Sequence, residues 1–114
     1  MSDPSTRELM KRWEAALADV LLFREICTPD CQVWHSADNK WMTAEAAIEA
    51  ARDRGGLPPF KNVRITVTEH GFLAQASTTV DPVGTIHVLQ LVTVKDGKAA
   101  RVEEYIGPEM NIAV

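Results

Sequence analysis

The chain has 114 residues, 46% hydrophobic and 25% charged, the balance of one soluble globular domain and not of a disordered tail. Its formal net charge of −4 argues against a nucleic-acid partner, because backbone binding needs a clustered positive surface. No apolar run approaches the roughly 18 residues of a membrane span, and the polar start Met1-Ser2-Asp3-Pro4-Ser5-Thr6 lacks the basic and apolar regions of a signal peptide, so a cytoplasmic location is expected.

The first helix is predicted after Pro4, with Ser5 or Thr6 as cap and Leu9, Trp13, Ala16, Leu17 and Val20 as an apolar stripe at spacings of three and four. A second short helix runs through Leu21, Leu22, Phe23 and Ile26 and stops at Thr28-Pro29-Asp30. A strand, Cys31-Gln32-Val33-Trp34-His35, follows. Period-two alternation puts His35 on the face of Val33 and Cys31, the side that turns toward a core. An imidazole facing an apolar hollow is a candidate general base, although a half-buried histidine also serves local hydrogen bonding. Cys27 and Cys31 are four apart, but no second Cys- or His-rich half of a zinc site exists, and a cytoplasmic setting disfavours disulfides. They read as two small buried hydrophobes, and no metal or organic cofactor is expected.

Ser36 to Lys40 reads as a loop, and Trp41-Met42 lead into Thr43 as cap of an alanine-rich helix from Ala44 to about Arg54. Gly55-Gly56 and Pro58-Pro59 end that helix. The remainder is strand-like: Val63, Ile65 and Val67 alternate with polar residues, Gly71 marks a turn, and Phe72 to Val80 returns. Asp81-Pro82-Val83-Gly84 turns into Thr85 to Val94, and Lys95-Asp96-Gly97-Lys98 turns into a last strand, Ala99 to Ile106. The strand from Thr85 is apolar on both faces, yet the helices can cover only one face of a single sheet. The second face, with His87, Leu89 and Leu91, therefore predicts a sheet-to-sheet homodimer, unless the sheet curls around its own core. Glu103 and Glu104 point to opposite faces, and the pattern leaves open which one turns inward.

Helices, a strand, a helix and then four antiparallel strands make an α+β order that resembles the cone-shaped fold of nuclear-transport-factor-2-like proteins. Within that superfamily the chain is similar to ketosteroid isomerases and SnoaL-like polyketide cyclases. The resemblance rests on Thr28 to His35, on Thr85 to Val94 with its Lys95–Lys98 turn, and on Val102 to Ile112. It implies one domain over residues 1–114, with N-terminal helices on a curved antiparallel sheet. It also places the isomerase's general base on His35, its oxyanion-donating tyrosine near Trp13, and its neighbouring protonated acid on or next to Gln90. The residue types differ, but an imidazole can accept a proton, and an indole N–H and an amide can donate to a developing oxyanion. Asp38 is a candidate to orient His35. Val33, Trp41, Val88 and Tyr105 are candidates to contact the substrate.

The resemblance thus implies a cofactor-independent acid–base enzyme acting on a small hydrophobic cyclic carbonyl compound by isomerisation, cyclisation or a related enolisation. The alternative is a non-catalytic binding or dimerisation module of the same fold. A third reading, water activation by a histidine and a carboxylate, requires Asp38 or an inward glutamate within reach of His35.

Overall fold

The computed structural model describes residues 4–111, with Pro4 by its backbone alone. Met1 to Asp3 and Ile112, the last residue of the segment that carries the resemblance, lie outside the described residues.

Helix α1 spans Pro4–Ala18. It begins at Pro4 itself, whose fixed φ and missing N–H suit a first turn, so Ser5 and Thr6 lie inside the helix and not at the position before it. Its stripe Leu9, Trp13, Ala16 and Leu17 is buried as the periodicity predicts. Asp19 interrupts the helix and accepts the backbone N–H of Leu21, starting a 3₁₀ turn over Val20–Leu22 that runs into α2, Phe23–Ile26. After β1 and β2, described below, comes α3, Ala44–Asp53, capped by the Thr43 side chain on the N–H of Ala46. Arg24 of α2 ties the two helices together by gripping Glu45 (2.7 Å) and Glu49. Its hydrogen bonds and charge hold the Glu45 carboxyl below the usual carboxylate range.

Strand β1 spans Cys27–His35, β2 Lys40–Thr43, β3 Lys61–Thr68, β4 Gly71–Val80, β5 Gly84–Lys95 and β6 Lys98–Pro108. They form one six-stranded sheet in the order β2-β1-β6-β5-β4-β3. Every pairing is antiparallel except β1 with β6. Two features depart from the sequence reading. Trp41-Met42 belong to a strand, because Ser36–Asn39 is a tight turn, with Asn39 at φ 55°, that folds β2 back on β1. The other is the start of β1 at Cys27, which carries Pro29 inside it. Between Cys27, opposite Ala99, and Gln32, opposite Arg101, the register shifts, and this bulge accommodates a residue that cannot donate to a ladder.

The helices cover one face of the curved, open sheet. Trp13, Phe23 and Ile26 pack there with Ile48 and Ala51 of α3 and with Cys31, Phe72, Val92 and Val102 from the strands. At the start of β4, a Cβ on Gly71 would come within 2.2 Å of the Val92 carbonyl oxygen, so only glycine allows β4 and β5 to approach there. The opposite face stays uncovered in a single chain, leaving Leu91, Trp41 and Tyr105 exposed. Among the described residues no helix is long and apolar enough to cross a membrane.

Candidate active site

Strand register builds the site. His35 lies opposite Glu104 across the parallel β1–β6 pair, and Glu104 lies opposite Gln90 across β6–β5. Alternation along each strand turns all three side chains to the helix-covered face, one row from the apolar row Val33, Val102 and Val92. The end of β1 is pinned beside β6 by Ser36, whose N–H donates to the Glu104 carbonyl at 2.9 Å and whose hydroxyl accepts the N–H of Ile106 at 2.9 Å.

The polar groups form one chain of contacts. Trp13 Nε1 donates to Gln90 Oε1 at 2.8 Å, Gln90 Nε2 donates to Glu104 Oε1 at 3.1 Å, and His35 Nε2 lies 3.3 Å from Glu104 Oε2. The indole has a single donor and no acceptor, so it fixes which way the Gln90 amide faces and therefore which group meets Glu104. A carboxylate oxygen can only accept. In a neutral ring facing it, Nε2 carries the proton, and Nδ1 keeps the lone pair. The His35 and Glu104 side chains are 25% and 21% exposed, enough shelter to strengthen their interaction while leaving the ring reachable.

These residues line a cavity of about 110 Å³ whose other walls are Val20, Phe23 and Val33 together with Ala47, Ile48 and Leu57. Cys27 also lines it, beside the fully buried Cys31. A hydrogen bond to Cys31, and then burial, push the Cys27 thiol up, so it is held as a thiol and not as a nucleophilic thiolate. Both cysteines are free.

The structure therefore gathers His35, Gln90, Trp13 and Val33 around one hollow and separates the other candidates from it. The Asp38 carboxylate accepts the N–H of Lys40 at 3.2 Å within the turn, and the carboxylate beside His35 is that of Glu104 instead. Trp41 lies on the outer face, where Arg101 stacks on its ring at 4.5 Å. Tyr105 also faces outward, because it follows the inward Glu104, and it packs edge-on against Trp34 at 5.2 Å. Val88 is buried two residues before Gln90 but does not line the cavity. Trp13, offered as an oxyanion donor, has spent its N–H on Gln90. The Gln90 amide retains a second N–H, the one donor of that pair left for a ligand oxygen.

No protein-family model and no curated protein sequence matches the chain. Solved structures do. An NTF2-like protein of unknown function from Burkholderia xenovorans superimposes with a TM-score of 0.80 at 16% identity, covering 96% of this chain and 88% of that one. The chain has the nuclear-transport-factor-2-like (NTF2-like) fold. A steroid delta-isomerase from Pseudomonas aeruginosa shares it, with a TM-score of 0.73, 13% identity, and coverage of 93% and 82% of the two chains. So does an LEH-like epoxide hydrolase from M. tuberculosis, with a TM-score of 0.68, 14% identity, and coverage of 90% and 83%. At such identities the likeness concerns the fold, and any chemistry on this NTF2-like scaffold depends on its own side chains.

Proposed function

We propose that the protein is a cofactor-independent acid–base enzyme that moves a proton on a small apolar carbonyl compound, in an isomerisation, cyclisation or related enolisation. The observation that carries this reading is the 3.3 Å approach of His35 Nε2 to Glu104 Oε2 at the wall of an apolar cavity. Glu104 orients the ring, and Nδ1 takes the proton next to the carbonyl. The C–H electron pair forms a carbon–carbon double bond as the carbonyl π pair moves onto the oxygen, which accepts the free N–H of Gln90. The imidazolium beside Glu104 then returns the proton at a second carbon of the enolate system. The steroid delta-isomerase of like fold supports the reaction class. The hollow is smaller than the range of about 300–1,000 Å³ usual for drug-sized ligands, which favours one small ring over a fully enclosed steroid.

The same contact supports a second reading, in which His35 and Glu104 activate water, and the LEH-like epoxide hydrolase of like fold favours testing it. Proton NMR in D₂O with cyclohexanone and cyclohex-2-enone, alongside hydrolysis of cyclohexene oxide, separates the possibilities. Exchange of protons next to the carbonyl supports the first, diol formation supports the second, and thermal stabilisation by these compounds without either leaves the fold as a binding module.

The uncovered sheet face supports a homodimer, since Leu91, Trp41 and Tyr105 are all exposed on it. Sedimentation of the wild type should give a mass of two chains, and Leu91→Glu should shift it toward one. A monomeric wild type at micromolar concentration overturns this assembly.

A further inference from the structure

One charged group in the cavity has no part in the proton transfer. Arg54, at the C-terminal cap of α3, lines the cavity along with Ala44, Ala47, Ile48 and Ala51 of the same helix. Nearby arginines are engaged: Arg24 holds Glu45 and Glu49, and Arg52 pairs with Glu49 at 2.5 Å. Among the described residues no carboxylate lies within ion-pair distance of the Arg54 guanidinium. A cation at a helix C-terminus is favoured by the dipole wherever its side chain points. The dipole does not account for a cation forming part of the wall of an otherwise largely apolar hollow.

The geometry points to a small apolar substrate that bears one carboxylate. We propose that Arg54 binds this carboxylate at the exposed end of the cavity while the reacting carbon lies toward His35 and Glu104. Only the placement of the reacting end rests on the proton-transfer reading. Helix α3 has ten residues, so Arg54 stands about 15 Å along the axis from Ala44, and the two mark opposite ends of the wall that this helix lends to the cavity. A guanidinium presents paired N–H donors that match the two oxygens of a carboxylate. Charge also selects the class. The Glu104 carboxylate and the Arg54 guanidinium leave the cavity wall without net charge, so a carboxylate brings the site to a single negative charge and a doubly charged phosphate to two, which disfavours the phosphate.

The test uses a matched pair of probes, 4-phenylbutanoate and its uncharged amide, 4-phenylbutanamide, titrated calorimetrically into the full chain at low salt. The acid should bind about tenfold more tightly than the amide, with the margin shrinking at high salt. Arg54→Gln should lower the acid to the affinity of the amide and leave amide binding unchanged, which also shows that the variant is folded. Arg54→Lys should keep part of the preference. Equal binding of acid and amide by the wild type, or a preference that survives Arg54→Gln, overturns the carboxylate site while leaving the acid–base reading intact. Absence of binding by both probes overturns the carboxylate site together with the cavity on which the acid–base reading depends.

Discussion

His35→Ala is expected to lower turnover by about 10²–10⁴-fold, and Glu104→Gln by a comparable factor, with little change in KM for either. The two losses have different causes. The first removes the base. The second keeps the size of the side chain and leaves an oxygen that still accepts from Gln90 Nε2, now 3.1 Å away. Its new amide donors would then face His35 Nε2. Two donors cannot share that contact, so the ring proton moves to Nδ1, and the nitrogen that should accept from substrate no longer can. Single-turnover rates on whichever compound proves active measure both effects. Because the two residues act as a unit, the double variant should lose little more than either single one. Full activity in His35→Ala would remove the proposed base, and full activity in Glu104→Gln would show that the carboxylate does not set the tautomer.

The contrast between Glu104 and Asp38 shows what could be read from the sequence. Alternation alone places Val33 and His35 on one face, and the helical stripe around Trp13 marks the surface that covers it. Both are local signals with periods of two and 3.6 residues. Selecting the carboxylate partner is a question of register between strands from opposite ends of the chain, and a shift of one residue exchanges Glu103 for Glu104. Sequence proximity makes Asp38 a candidate beside an inward glutamate, because the turn that withdraws it onto Lys40 reads from the sequence only as a loop. The same turn hides β2, a strand of four residues too short to show a pattern, and it carries Trp41 to the outer face. Asp38, Trp41 and Tyr105, whose placement depends on turns and pairing, lie away from the cavity, while Trp13, Val33 and His35, set by local periodicity, line it; Val88 shares the face of Gln90 and misses the cavity only by its position along β5. Arg54 gave no signal of its own, since a basic residue closing a helix is ordinarily explained by the dipole.

Trp13→Ala should cost about 3–5 kcal/mol of stability, a large share of the roughly 5–15 kcal/mol that holds such a domain together. The ring is 2% exposed and meets Phe23 and Phe72 edge-on, at centroid distances of 4.8 and 5.4 Å, so truncation opens a hole where α1, α2 and β4 converge. Trp13→Phe separates packing from positioning. It retains most of the apolar ring but deletes the N–H, leaving the partly buried Gln90 Oε1 without its donor at a cost of about 1–3 kcal/mol. Without that anchor the amide can rotate and present its oxygen to Glu104, a repulsive contact that displaces the carboxylate from His35. The phenylalanine variant should accordingly remain folded yet lose turnover, with the activity lost in excess of what reduced stability explains. Denaturant unfolding gives the first quantity, and kcat measured well below the unfolding transition gives the second. A Trp13→Phe protein with wild-type kcat would mean that the indole only fills space and that Glu104 holds His35 without help from α1.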